Sequence, residues 1–163
     1  MPKANAAAPA STSPAKQLAA FLSKYTPRVA AEAKKALAAM RQRLPGAVEL
    51  VYDNYNALVI GFGPTERPSD AVFSIAVLPT HVSLCFLQDA ATLPDPTHLL
   101  IGAGRAARHI KLTSAVQLGE PAVRALMSAA MARAEVPMDG RGRRRLIIRS
   151  ISAKQRPRRP RRI

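Results

Sequence analysis

Apolar side chains recur along this chain first at helical and then at alternating spacing, and the change of period divides it into elements. Leu18, Phe21, Leu22 and Tyr25 fall on one face of a short helix running from Lys16 to Tyr25. Thr26-Pro27 interrupts it and starts a second helix, with Thr26 as cap and Pro27 where a missing N–H costs nothing. Val29, Ala33, Leu37, Met40 and Leu44 form the apolar stripe of that helix, and Pro45-Gly46 ends it. Extended runs follow at Val48 to Tyr52, Ala57 to Phe62, Val72 to Leu78 and Val82 to Leu87, separated by turn-forming clusters. These predict an antiparallel meander with one face on the helices.

Beyond the meander, Thr92 to Pro96 reads as a turn, Thr97 to Ile101 as a short apolar segment and Arg108 to Leu112 as a further strand. Pro121 opens a helix to Ala134, with Val123, Leu126, Met127, Ala130 and Met131 on one side. Leu146-Ile147-Ile148 and Ile151 form a β-type run too apolar to leave in water, which predicts a last strand at a sheet edge guarded by Arg. Helices, then strands, then a helix is an α+β order, an antiparallel sheet packed on N-terminal helices with a C-terminal helix.

Charge changes how the chain divides. The whole carries a formal +15, but residues 17–139 hold 12 basic and 10 acidic side chains, whereas residues 140–163 hold 11 basic and none acidic. The expected organisation is a leader of Ala, Pro and Ser over residues 1–15, one domain over 16–152 and a flexible Arg/Pro-rich arm over 153–163. The leader lacks the leucine-rich block of a secretory signal. No run of about 18 apolar residues is present, so no membrane partner is expected. A lone Cys85 cannot form an internal disulfide, which fits a reducing, cytoplasmic setting.

The blocks V-Y-D-N-Y-N-A-L-V-I-G-F-G-P (51–64), F-S-I-A-V-L-P-T-H-V-S-L-C-F-L (73–87), L-L-I-G-A-G-R-A-A-R-H-I-K-L (99–112) and R-L-I-I-R-S-I-S-A-K-Q-R-P (145–157) together resemble the YdhG-like bacterial domains of unknown function. The likeness runs over roughly residues 17 to 157 and implies an α+β domain with an antiparallel sheet. One branch of that wider family is described as frataxin-like, so the resemblance also implies an alternative role as an intracellular iron or metal carrier. The residues speak against that role: hard cations are held by carboxylates, and residues 16–44 carry seven basic side chains and a single acid, Glu32. His81, Cys85, His98 and His109 match no compact metal-ligand spacing.

Candidate chemistry is sparse. The Gly102-Ala103-Gly104-Arg105-Ala106-Ala107-Arg108-His109-Ile110-Lys111 block reads in two ways. Its Gly102 and Gly104 turn, with Arg105, Arg108, His109 and Lys111, has the donors of an oxyanion site, and it also reads, by preference, as a tight turn with solvated basic side chains. No long helix follows it and no acid stands about 20 positions on in the right context, which argues against a dinucleotide fold, and no cofactor is expected. Asp53 and Tyr55, in the run Asp53-Asn54-Tyr55-Asn56, are either turn residues or a carboxylate and a phenol at the mouth of a cleft for a small ligand or protein partner. No nucleophile elbow, zinc-protease helix or P-loop is spelled out, so no catalytic residue is assigned. Lys154, Arg156, Arg158, Arg159, Arg161 and Arg162 form an arm expected to be extended and mobile, and to contact nucleic acid or other polyanions nonspecifically. No aromatic residue interleaves with them, so neither base stacking nor sequence-specific recognition of single strands is expected.

Overall fold

The computed structural model describes residues 12–161; the leader as far as Ser11, together with Arg162 and Ile163, lies outside the described residues. Helix α1, Pro14–Leu22, starts two residues before Lys16 because the Ser13 hydroxyl accepts the Lys16 N–H at 3.2 Å and Pro14 fits the first turn. It stops short of Tyr25, which is nevertheless 1% exposed. Helix α2, Pro27–Arg43, is capped as its sequence predicts, the Thr26 hydroxyl accepting from the Val29 N–H at 3.3 Å.

Strands β1 (Val48–Asp53), β2 (Leu58–Gly63), β3 (Phe73–Val77), β4 (Val82–Phe86) and β5 (Arg108–Leu112) pair in sequence order, each antiparallel to the next. A 3-10 turn, Ala115–Gly119, leads into helix α3, Pro121–Ala132. The chain then returns to the far edge of the sheet as β6, Arg145–Ile151, giving the order β5-β4-β3-β2-β1-β6. β6 runs parallel to β1, so the six-stranded sheet is mixed and not purely antiparallel. A parallel neighbour needs a long crossover, and everything from β2 to α3 serves as one. Arg149 has no register partner between Ile148 and Ser150 and forms a bulge on this edge strand.

The alternation of the strands sends Val51, Leu58, Ile60, Phe62, Phe73, Ile75, Leu84 and Phe86 to one face, where they form a single core with the apolar stripes of the helices. Phe73 and Phe86 meet edge to face at 5.5 Å. The Tyr25 hydroxyl closes the core at one end, donating to the Val77 carbonyl at 2.9 Å and accepting from the Leu58 N–H at 3.2 Å. The other face carries smaller and more polar groups, with Gly61, Ser74, Cys85 and His109 aligned across successive strands. Gly46 has φ +81°, and a Cβ there would collide with the Gly142 carbonyl, so the turn before β1 and the loop before β6 are locked by close backbone approach. Among the described residues no helix is long and apolar enough to cross a membrane.

Candidate nucleic-acid interface

Two carboxylates of β1 organise the basic end of the chain. Glu49 and Asp53 are four residues apart and share the core-facing side with Val51, and both are 0% exposed. A buried charge is costly unless it is paired and hydrogen-bonded, so each acid must recruit cations. Glu49 is gripped by Arg41 of α2, whose Nε and terminal nitrogen reach its two oxygens at 3.0 and 2.8 Å, and by Arg144 Nε at 2.8 Å. Asp53 receives Lys24 Nζ at 2.7 Å and an Arg158 terminal nitrogen at 2.8 Å. Arg144 lies immediately before β6 and Arg158 seven residues after it, so one buried acid clamps each end of the parallel strand.

The second clamp determines the course of the C-terminal segment. Instead of forming the free arm expected from its composition, the chain packs against the β1–β2 turn. The Ser152 N–H donates to the Asp53 carbonyl and the Arg156 N–H to the Tyr55 carbonyl, each at 2.9 Å. Gln155 donates to the Asp53 carbonyl at 3.1 Å and accepts from Lys24 at 2.9 Å. Arg158 is 5% exposed; it donates to the Asn54 carbonyl as well as to Asp53, and its guanidinium lies 5.8 Å from the Tyr25 ring centre. Its Nε is buried without a hydrogen-bond partner. Arg159 Nε caps the end of the first helical region through the Lys24 carbonyl at 3.1 Å. Burial alone would raise the Asp53 carboxyl, but the surrounding Lys24, Gln155 and Arg158 side chains outweigh burial and hold it below its ordinary value.

The predicted basic residues therefore divide. Arg158 faces inward and is spent on Asp53, whereas Lys154, Arg156, Arg159 and Arg161 remain exposed; Arg162 lies outside the described residues. Asp53 lies in the core and lines no cleft mouth, and Tyr55, 52% exposed, projects from the turn against which Arg156 packs. The fold thus sets an exposed aromatic ring beside the basic segment, which the linear order of residues conceals. Along the rim, Arg145 pairs with Glu66 at 2.6 Å on the surface, and Arg141, Arg143 and Arg149 are exposed and have no carboxylate partner among the described residues.

The Gly102 to Lys111 block is not gathered into one site. Gly102 has φ +122° and makes a turn, Arg108 Nε folds back onto the Gly104 carbonyl at 2.8 Å, and Arg105 is exposed. The alternation of β5 then sends Arg108 to one face and His109 and Lys111 to the other, opposite Cys85 and Ser83. His81 is held below its ordinary value by burial and by the nearby Lys111 and His109 charges, and burial pushes the Cys85 thiol up. Among the described residues no three His, Cys, Asp or Glu side chains come together as metal ligands. Glu49 is the residue the sequence reading missed. Its signal was an acid on the same strand face as Val51 and Asp53, flanked directly by Val48 and Leu50. No protein-family model, curated protein or solved structure matches this chain.

Proposed function

We propose that this protein is a non-enzymatic binding module of the YdhG-like kind that contacts nucleic acid, or another polyanion, without sequence preference, through its C-terminal basic segment and the adjoining turn. The observation that carries this reading is the exposed Tyr55 ring beside Arg156 on a surface to which residues 140–163 contribute no acid. Cations set at fixed positions lose less entropy on meeting phosphates than cations on a mobile arm, and a neighbouring aromatic adds a platform for an unpaired base.

Truncation at Ser152 is the wrong test, since it also strips Arg158 from a buried carboxylate. The test is the triple variant Arg156→Gln, Arg159→Gln, Arg161→Gln, compared with the unaltered chain in salt titrations against single- and double-stranded oligonucleotides. With about six phosphate contacts, affinity of the unaltered chain falls by roughly a thousandfold between about 50 and 200 mM salt, and the triple variant loses both affinity and part of that slope. Tyr55→Ala weakens single-stranded binding by about tenfold and leaves duplex binding unchanged. Absence of binding at low salt, or identical curves for the triple variant, sinks the proposal.

A further inference from the structure

A second basic feature lies away from the C-terminal segment. Between α2 and α3, floored by the 3-10 turn Ala115–Gly119, is an open cleft of about 720 Å³. The stripe Arg124, Met127, Ser128 and Met131 of α3 faces Ala39, Gln42 and Arg43 of α2 across it. Arg43 donates to the Leu118 carbonyl at 2.8 Å, which fixes its guanidinium at the floor. Arg124 is exposed, and among the described residues neither arginine has a carboxylate partner. Glu32, the acid of α2, is committed to the Ala115 N–H at 2.8 Å. Burial first, and the nearby Arg124 charge second, hold the Arg43 guanidinium below its ordinary value.

Two forked cations, an amide and a hydroxyl match the oxygens of a tetrahedral dianion better than a single carboxylate. The remaining lining is apolar, including Met127, Met131 and Val116, which is 80% exposed at the rim. We propose that this cleft binds a small phosphate monoester carrying an apolar or aromatic body, the phosphate between Arg43 and Arg124 and the body against the methionines. A cleft of this volume is the usual size for a small-molecule ligand.

Phenyl phosphate is the probe, with inorganic phosphate and benzyl alcohol as controls for head and body. Titration of the full chain, followed by amide and methionine-methyl NMR shifts, gives saturable binding of phenyl phosphate, tighter than either control, with the shifts centred on residues 42–43 and 124–131. Arg124→Gln, at an exposed position that leaves the fold intact, weakens binding by about tenfold, whereas Arg156→Gln does not. Arg43→Gln is expected to abolish binding, and Arg124→Gln keeps the test decisive if loss of the Leu118 contact unfolds that variant. No saturation by about 10 mM, or unchanged affinity in Arg124→Gln, overturns the assignment. Shifts confined to the C-terminal segment also overturn it, since they place the phosphate on the other basic surface.

Discussion

Arg158 shows how little a residue's neighbours in sequence reveal of its role. It stands in Arg156-Pro157-Arg158-Arg159-Pro160, where every side chain has the same claim to solvent, yet it alone is buried, 2.8 Å from an Asp53 oxygen. Asp53 in turn reads from sequence as a turn residue, because the Asn54 to Ala57 turn does begin beside it and the Asn54 N–H does bond the Ala57 carbonyl at 3.0 Å. The partnership spans more than a hundred positions, and no local pattern encodes it. Replacing Arg158 with Ala leaves a buried carboxylate with the half-exposed Lys24 as its one charged partner beside the neutral Gln155, and the expected cost is about 3 kcal/mol, read as a thermal midpoint lowered by about 10 °C. The pH dependence has a definite sign. The Asp53 carboxyl is depressed in the folded protein, so its contribution is present above the unfolded value of about 3.9 and is lost as pH falls through the lower folded value. Without Arg158 the folded value rises, and the acid limb of the stability curve moves to higher pH. Superimposable acid limbs for the two proteins would refute the clamp.

At the scale of elements, the parallel strand β6 is held by its pairing with β1, by Leu146 and Ile148 against the core, and by an ion-pair anchor at each end. An edge strand pairs on one side only, and Ile151 at its end is 54% exposed. Its first anchor is the Arg41–Glu49–Arg144 group, so Glu49→Gln, which keeps the shape and removes the charge, is expected to loosen β6 selectively. In native-state hydrogen exchange the amides of residues 146–151 then exchange faster, while those of β3 and β4 are unchanged. Uniform acceleration across the sheet would instead assign Glu49 to global stability. The same contrast explains what the sequence made legible. Helix caps at Thr26-Pro27, the strands from Val48 to Phe86 and the helix opening at Pro121 are local events with local signals, and the fold has them close to where the periodicity puts them. The edge position of Leu146 to Ile151 followed from its Arg flanks. Its parallel direction did not, because an apolar run states that it must be covered and not which strand covers it. The donors of the Gly102 to Lys111 block are not gathered together, for a related reason: a cluster in sequence that enters a strand is divided between two faces by the pleat.

Over the whole molecule, the segregation of charge acquires a structural meaning. The basic end is not an appendage to a neutral body, because Arg144 and Arg158 are consumed by the two buried acids of β1 and so tie that end to the core. What remains outside is still strongly positive, and it includes the C-terminal rim and the cleft between α2 and α3 beside scattered exposed cations such as Lys34, Lys35, Arg67, Arg105 and Lys111. The balance of these effects fixes the response to salt. Screening weakens exposed ion pairs such as Arg145–Glu66, at 48% and 52% exposure, but such pairs contribute little, and the buried Asp53 and Glu49 groups are screened less. Screening also relieves the mutual repulsion of a net +15, which acts over the entire surface and is stronger in the compact state than in the expanded chain. Repulsion wins that comparison, so the thermal midpoint is expected to rise by a few degrees as sodium chloride is raised from about 10 to 150 mM, within the range of the Debye screening length. Scanning calorimetry at fixed pH across that range measures it, with chloride chosen over sulfate or phosphate so that neither basic surface is filled by a multivalent anion. A midpoint that falls steadily with salt would mean that surface pairs outweigh repulsion, and that the exposed cations are compensated by surface carboxylates instead of available to a polyanion.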